Sequence, residues 1–404
     1  MDFLKETVKG LIPTKEEYKK LNEIVARIEN KIKIKNAVVE LGGSGRKNTW
    51  IKGNHDIDIY VKFNLKEYSK KDISKILGNE LRKNFKINVL HGSRDYYQII
   101  IENYTIEAIP IIDIKKVDDA LNITDISPFH CKYIRKHDKS NDIRLAKAFC
   151  RANNCYGAES YIGGFSGYAL EILTIHYGGF LRLIRNASKW KEKTLIGDKK
   201  TIDRLNESKK TSLLILIDPV DTNRNAAAAL SSEKYRLFIN ACNNFLRRPS
   251  NNFFIEKKFD ENLLFEKNLD KKIVKITAKP LDGKKDVVGA KLLKCFNYIK
   301  KQLELNEFKI WKSEWHWDNE AKFYFVFEKK ELSKIKKHYG PPINEKEHAK
   351  GFIKKWGKQN VKKEGRLLYV CIKRQFLKPG DYVMHMIKND KNLANYARKL
   401  EAND

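Results

Sequence analysis

The spacing of apolar residues changes several times along this chain, and each change predicts a different layer. After Pro13, apolar residues Tyr18, Leu21, Ile24, Val25 and Ile28 recur at helical spacing. Thr14 and Glu17 stand where a capping box would open that helix. The period then falls to two. Strands are predicted over Asn36 to Leu41, through Asp56-Ile57-Asp58-Ile59, and over Lys86 to Leu90, Tyr96 to Ile101 and Tyr104 to Ile112. One amphipathic helix, Ser69 to Phe85, interrupts them with Ile73, Ile76, Leu77 and Leu81 on one side. From Ser127 the helical period returns, with Ser127 as the expected N-cap and Pro128 at the first helical position. Helices are predicted over Asp142 to Asn153, Gly163 to Arg185 and Ser232 to Arg247, with a turn at Asp218-Pro219-Val220-Asp221. Beyond residue 258 the order becomes strand (Lys272 to Ala278), helix (Val287 to Leu305), strands (Phe308 to Trp317, Ala321 to Phe327), helix (Glu345 to Trp356), strand (Arg366 to Lys373). That βαββαβ order is a split-βαβ arrangement used by RNA-binding modules. The chain therefore reads as an α+β protein with domains at 1–125, 126–257 and 258–404.

Polar residues that break these patterns are the candidates for chemistry. Asp56 and Asp58 are two apart on one strand, so both point to one face while Ile57, Ile59, Val61 and Phe63 point to the other. Two adjacent carboxylates repel unless a cation or a shared proton lies between them. Glu107 is a carboxylate inside an apolar strand, Ile106-Glu107-Ala108-Ile109, where burial is costly without a partner or a metal. Upstream, Gly42-Gly43-Ser44 follows a strand directly, as in corners that cradle phosphate. Arg144, Lys147 and Arg151 share one helix face, either as a solvated basic stripe or as a triphosphate clamp.

Charge narrows the partner. Among 404 residues, 81 are Lys or Arg and 51 are Asp or Glu, a net charge of +30. So large an excess repels itself and suits a polyanion such as nucleic acid. The stretch from Glu331 to Arg374 is especially basic and carries His338, Tyr339 and Trp356, a mixture suited to phosphates and exposed bases. The six cysteines form no CxxC and no zinc spacing, so free thiols in a reducing cytoplasm are expected. No apolar run has the length of a signal peptide or a membrane span.

With these residues in place, the chain resembles the archaeal-type (class I) CCA-adding enzymes, the tRNA nucleotidyltransferases. The resemblance rests on GGS followed by DIDIYV, on IEAIP and SPFH, and on RLAKAFCRANNCYGAESYIGGFSGYALEIL and DPVDTNRNAAAAL. GPPINEKEHAKGFIKKW is similar to that family's tail, and the likeness spans about residues 14 to 375. It implies a polymerase-β-like nucleotidyltransferase head, a helical middle domain, and a C-terminal RRM- or ferredoxin-like module with a basic tail. It implies that Asp56, Asp58 and Glu107 are catalytic and hold Mg²⁺. Ser44 and Lys47 would meet the triphosphate, His130, Lys147 and Tyr156 would complete the nucleotide site, and Arg224 would help to read the base. The substrates would be CTP and ATP, and the partner tRNA, held at its acceptor stem and T-arm. A homodimer is left open. Three positions depart from the family pattern. Lys47, or Arg46 beside it, stands in for an arginine. Glu107 stands for an aspartate, and little aligns after Gln375.

The expected reaction is addition of C, C and A to the tRNA 3′ end without a template, by two-metal nucleotidyl transfer with release of pyrophosphate. Two alternatives remain at this point. One is another RNA 3′-nucleotidyltransferase, such as a poly(A)- or oligo(U)-adding enzyme, which would lack the SPFH and DPVD-x-x-RN context. The other is a non-catalytic RNA-binding protein, which would be expected to have lost a carboxylate.

Overall fold

The computed structural model describes residues 2–403, divided into two compact units between Lys257 and Lys258. The first unit opens with helices α1 (Asp2–Leu11) and α2 (Lys15–Glu29). The Thr14 hydroxyl accepts from the Glu17 N–H and the Glu17 carboxylate accepts from the Thr14 N–H, which closes a capping box on α2. A five-stranded sheet follows: β1 (Ala37–Leu41), β2 (Asp56–Asn64), β3 (Ile87–Leu90), β4 (Tyr96–Ile101) and β5 (Tyr104–Asp113). Its order is β1-β2-β5-β4-β3. β2 and β5 run parallel and the other pairs antiparallel. Short helices α3 (Gly43–Lys47) and α4 (Leu65–Tyr68) and the longer α5 (Ile73–Arg82) lie between strands. One core joins Leu21, Ile24 and Ile28 of α2, Leu77 and Leu81 of α5, and Ile57, Ile59, Val61 and Phe63 of β2. Alternation along β2 thus sends its apolar residues to one face and Asp56 and Asp58 to the other.

Helices α6 (Ser127–Lys136), α7 (Ser140–Ala152), α8 (Gly167–His176), α9 (Phe180–Ala187) and α11 (Ser232–Arg247) build the second layer of this unit. Its core is rich in phenylalanine, with Phe149 in ring contact with Phe180, Phe238 and Phe245. α1 packs into this helical core through Phe3, Leu4, Val8 and Leu11, although its position assigns it to the domain expected at 1–125. Two local expectations differ from the structure, and one pair of strands was not expected. Ser127 is the first helical residue of α6, with Ile126 at its cap. The stretch from Gly163 to Arg185 is not one helix, because Gly178 and Gly179 take φ of 76° and 134° and separate α8 from α9. A small parallel pair, β6 (Thr194–Ile196) and β7 (Leu214–Leu216), surrounds α10 (Lys199–Arg204) and has too few residues to show a period.

In the second unit, α12 (Glu261–Glu266) precedes β8 (Lys272–Lys279), α13 (Lys285–Leu305), β9 (Ile310–Trp317) and β10 (Ala321–Phe327). The βαββαβ order is present, but its last two members are α15 (Pro379–Asn389) and β14 (Lys399–Asn403). The four-stranded sheet has the order β14-β8-β10-β9. The stretch expected to supply the last helix and strand forms a separate sheet instead, β11 (Ile335–Pro342), β12 (Val361–Glu364) and β13 (Leu367–Lys373), beside α14 (Lys346–Trp356). α15 buries Val383 and Met386 in the core of the four-stranded sheet with Tyr382 and Ile387 packed against it, a helical pattern as clear as that of α14. No described helix is long and apolar enough to cross a membrane.

Candidate active site

The parallel pairing of β2 with β5 does what sequence spacing could not. It sets Asp58 beside Glu107 in register and Asp56 beside Thr105, so the three carboxylates share one face and one end of the sheet. Asp56 is exposed, and Asp58 and Glu107 are half-buried. Burial first, then repulsion from Asp58 and from Asp56, together raise the Glu107 carboxyl to about 7. Burial also raises Asp58. Lys47 opposes that shift, Asp56 reinforces it, and the Ser44 N–H and Lys147 oppose it again.

The glycine turn is the start of α3. Gly43 has φ of +46°, and a Cβ there would fall 1.5 Å from Asp58 Oδ2. Only glycine allows the Ser44 N–H to approach that carboxylate. The Gly42 N–H donates to the Asp58 carbonyl at 2.7 Å, which ties the loop to β2. Arg46 and Lys47 leave α3 in different directions. Arg46 pairs with Glu40 and lines, with Lys62, Lys132 and Arg135, a separate basic cavity of about 370 Å³. Lys47 turns inward to Glu171 Oε2 at 2.9 Å, with its ammonium 5.0 Å from the centre of the Tyr168 ring.

The basic face of α7 is not solvated. Arg144 is 2% exposed and Lys147 4%. Arg144 Nε donates to the Trp50 carbonyl at 2.8 Å and a terminal nitrogen donates to Asn48 at 2.9 Å, which fastens the segment after α3. Lys147 donates to Glu171 Oε1 at 2.8 Å and to the Thr49 hydroxyl at 3.0 Å and carbonyl at 3.2 Å. Burial raises the Glu171 carboxyl, but the ammonium groups of Lys147 and Lys47 and their hydrogen bonds reverse this and hold it at about 2. Tyr156 lies alongside: a Cβ on Gly167 would fall 3.0 Å from the Tyr156 hydroxyl and 3.6 Å from Lys147 Cε.

A second buried carboxylate, Asp218, gathers the remaining residues. The Tyr168 hydroxyl donates to its Oδ1 at 2.8 Å, His130 Nε2 lies 3.2 Å from its Oδ2 at an ion-pair distance, and Arg224 lies 3.5 Å away. His130 Nε2 lacks the alignment of a hydrogen bond. The His130 and Tyr168 rings lie 4.2 Å apart, and the Arg224 guanidinium sits over the other side of the same network, 5.8 Å from the Tyr168 ring. Tyr168 therefore links the Asp218 group to Lys47.

Glu171, Asp218, Tyr168 and Thr49 were not singled out from sequence. The signal used for Glu107, a carboxylate flanked by apolar residues, was present in Ala169-Leu170-Glu171-Ile172-Leu173 and in Ile215-Leu216-Ile217-Asp218. Among the described residues, no three His, Cys, Asp or Glu side chains converge as the ligands of one ion. The donor set nevertheless fits hard divalent cations: oxygen donors only, adjacent on a rigid sheet, where burial and then mutual repulsion raise the Glu107 carboxyl.

Comparison with known proteins follows the same division of the chain. Residues 141–255 match the family described as "tRNA nucleotidyltransferase, second domain", and residues 271–399 match "CCA-adding enzyme, C-terminal domain". The second match continues well past Gln375, where the motif resemblance stopped. The CCA-adding enzyme of Nanoarchaeum equitans is 36% identical over 390 residues, 93% of this chain and 94% of that protein. The CCA-adding enzyme of Methanocaldococcus jannaschii is 34% identical over 384 residues, 88% of this chain and 84% of that protein. Among solved structures, the Cid1 poly(U) polymerase with MgATP superposes with a TM-score of 0.51 at 14% identity, over 63% of this chain and 98% of that one. That likeness is one of fold. By relatives spanning nearly its whole length, the chain belongs to the CCA-adding enzyme family.

Proposed function

We propose that this protein adds C, C and A in turn to the 3′ end of tRNA, using CTP and ATP and releasing pyrophosphate. The observation that carries this reading is the opposition of two charge sets. Asp56, Asp58 and Glu107 share one sheet end, and the lysines on α3 and α7 lie close enough to Asp58 to oppose the rise that burial gives its carboxyl. Asp56, Asp58 and Glu107 would hold two Mg²⁺ ions. When bound, the ions offset phosphate charge and acidify the primer 3′-hydroxyl.

The chain's own residues bind and orient the nucleotide. The Ser44 hydroxyl and the Lys47 ammonium meet the triphosphate, since α3 sets both near Asp58 and sends Arg46 elsewhere. Lys147 and Tyr156 form the wall behind it. His130 and Arg224, steered by Asp218, face the base, where fixed donors and acceptors can reject UTP and GTP strongly. The +30 charge and the second unit serve tRNA, whose acceptor stem and T-arm are the proposed contacts. The cysteines are free thiols, which suits a reducing cytoplasm.

The test uses tRNA ending at its discriminator base, with Mg²⁺ and labelled CTP and ATP. Growth by three nucleotides in C-C-A order is expected. Open-ended growth would favour a poly(A)- or poly(U)-type activity on the shared fold, and no growth would reject catalysis.

A further inference from the structure

One ionisable group in this wall has no task in the reading above. Glu171 lies in the middle of α8, 1% exposed, on a helix whose other central residues, Ala169 to Thr174, are all buried. A lone carboxylate there would be costly to bury, and it stays because cations meet it. Its two oxygens are divided. Oε1 accepts from Lys147 at 2.8 Å and from the Thr49 hydroxyl at 2.6 Å, and Oε2 accepts from Lys47 at 2.9 Å.

The two lysines are held unequally. An ammonium has three N–H groups. Those of Lys147 meet three acceptors: Glu171 Oε1, the Thr49 hydroxyl and the Thr49 carbonyl. Among the described residues, Lys47 has Glu171 as its one hydrogen-bond acceptor and keeps two N–H groups to offer. Lys147 thereby anchors the carboxylate, and the carboxylate directs the freer Lys47. Two ammonium groups against one carboxylate also leave a surplus positive charge facing Asp58, where the phosphates would lie.

We propose that Glu171 is a positioning residue for the nucleotide: anchored by Lys147, it aims Lys47 at the triphosphate without touching the substrate. This rests on the reading of Lys47 as a triphosphate ligand. Its burial behind Lys47 keeps its own negative charge away from the phosphates. Without it, the two lysines would repel each other and Lys47 would lose its direction.

The experiment uses the full chain, tRNA lacking CCA, CTP and Mg²⁺, with CTP affinity measured separately by calorimetry without tRNA. Glu171→Gln keeps the size and removes the charge. It is expected to raise the CTP KM about tenfold and weaken CTP binding equally, with kcat changed less than about threefold. A merely structural defect would instead lower kcat through the active fraction and leave KM alone. A folded Glu171→Gln protein with unchanged KM and CTP affinity overturns the proposal. If that variant does not fold, Thr49→Val decides: loss of the hydroxyl that fixes Oε1 should raise KM about threefold with kcat kept, and an unchanged KM overturns the proposal. Lys47→Met separates the two levels. If it leaves the CTP KM unchanged, the triphosphate reading of Lys47 fails. If it raises KM while Glu171→Gln does not, only the positioning role fails.

Discussion

Glu107 and Glu171 are the same residue type, each flanked by apolar neighbours, the first half-buried and the second fully buried, yet their carboxyls shift in opposite directions. Glu107 is pushed up to about 7 and Glu171 is held at about 2. Burial acts in the same direction on both, so it does not explain the difference. What stands opposite does. Glu107 faces Asp58 and Asp56, and Glu171 faces Lys147 and Lys47. The first arrangement lacks an opposite charge, and on the proposed reading a cation would supply it. The second is complete within the protein. One end of the site thus carries uncompensated negative charge, and the facing wall carries its own positive charge.

The most severe break of this contrast is Asp58→Ala. It removes the carboxylate shared by the acidic end, so nucleotide addition should fall about a thousandfold or more, with tRNA retention on filters unchanged. Joint loss of both would refute the assignment of Asp58 to the metal end. Next comes stability. Glu171→Ala leaves the buried Lys147 and the partly buried Lys47 without their counter-charge and should cost about 3–5 kcal/mol by denaturant titration. A cost below 1 kcal/mol would mean the pair is not buried as described.

Arg224→Ala tests the third carboxylate, Asp218, which keeps His130 and Tyr168 as partners when the arginine is lost. The preference for CTP over UTP should fall about tenfold with the melting temperature near wild type. Undiminished discrimination would remove Arg224 from base reading.

The smallest effect is on pH. Glu107 has a folded pKa of about 7 against an ordinary 4.5, so folding takes up a proton between these values. Its contribution to stability is fully present below about 4.5 and is lost as pH rises through about 7. At pH 8 without divalent ions, Glu107→Gln should therefore be more stable than wild type, by on the order of 1 kcal/mol. Mg²⁺ competes with that proton, so its stabilisation of wild type should be larger at pH 8 than at pH 6. An equal shift at both pH values would show that Glu107 does not hold the ion.

Much of this molecule was legible locally. The alternation in Asp56-Ile57-Asp58-Ile59 gave both the buried face of β2 and the face that carries the carboxylates. Thr14 and Glu17 marked the start of α2, and the α+β class and βαββαβ order survive in the folded chain. Glycines at 178 and 179 were the visible sign of a helix break that the continuous apolar pattern concealed. β14 is five residues of mixed polarity, and the expected order closed instead on the strand over Leu367–Lys373, although α15 carries a helical pattern of its own.

The sequence by itself determined which residues alternate, where helices start and which carboxylates lie among apolar neighbours, because those properties depend on residues a few positions apart. Tertiary structure alone decided the charge each of them bears. It set Asp58 beside Glu107 through a strand pairing nearly fifty residues apart in sequence, and Lys47 beside Glu171 across a separation of 124. It buried Lys147 and Arg144, whose helix face looked equally suited to water. The physical reason is that a buried group's ionisation follows the sign of its nearest neighbours in space, and neither that sign nor the loss of water is encoded in the period of the segment that carries it.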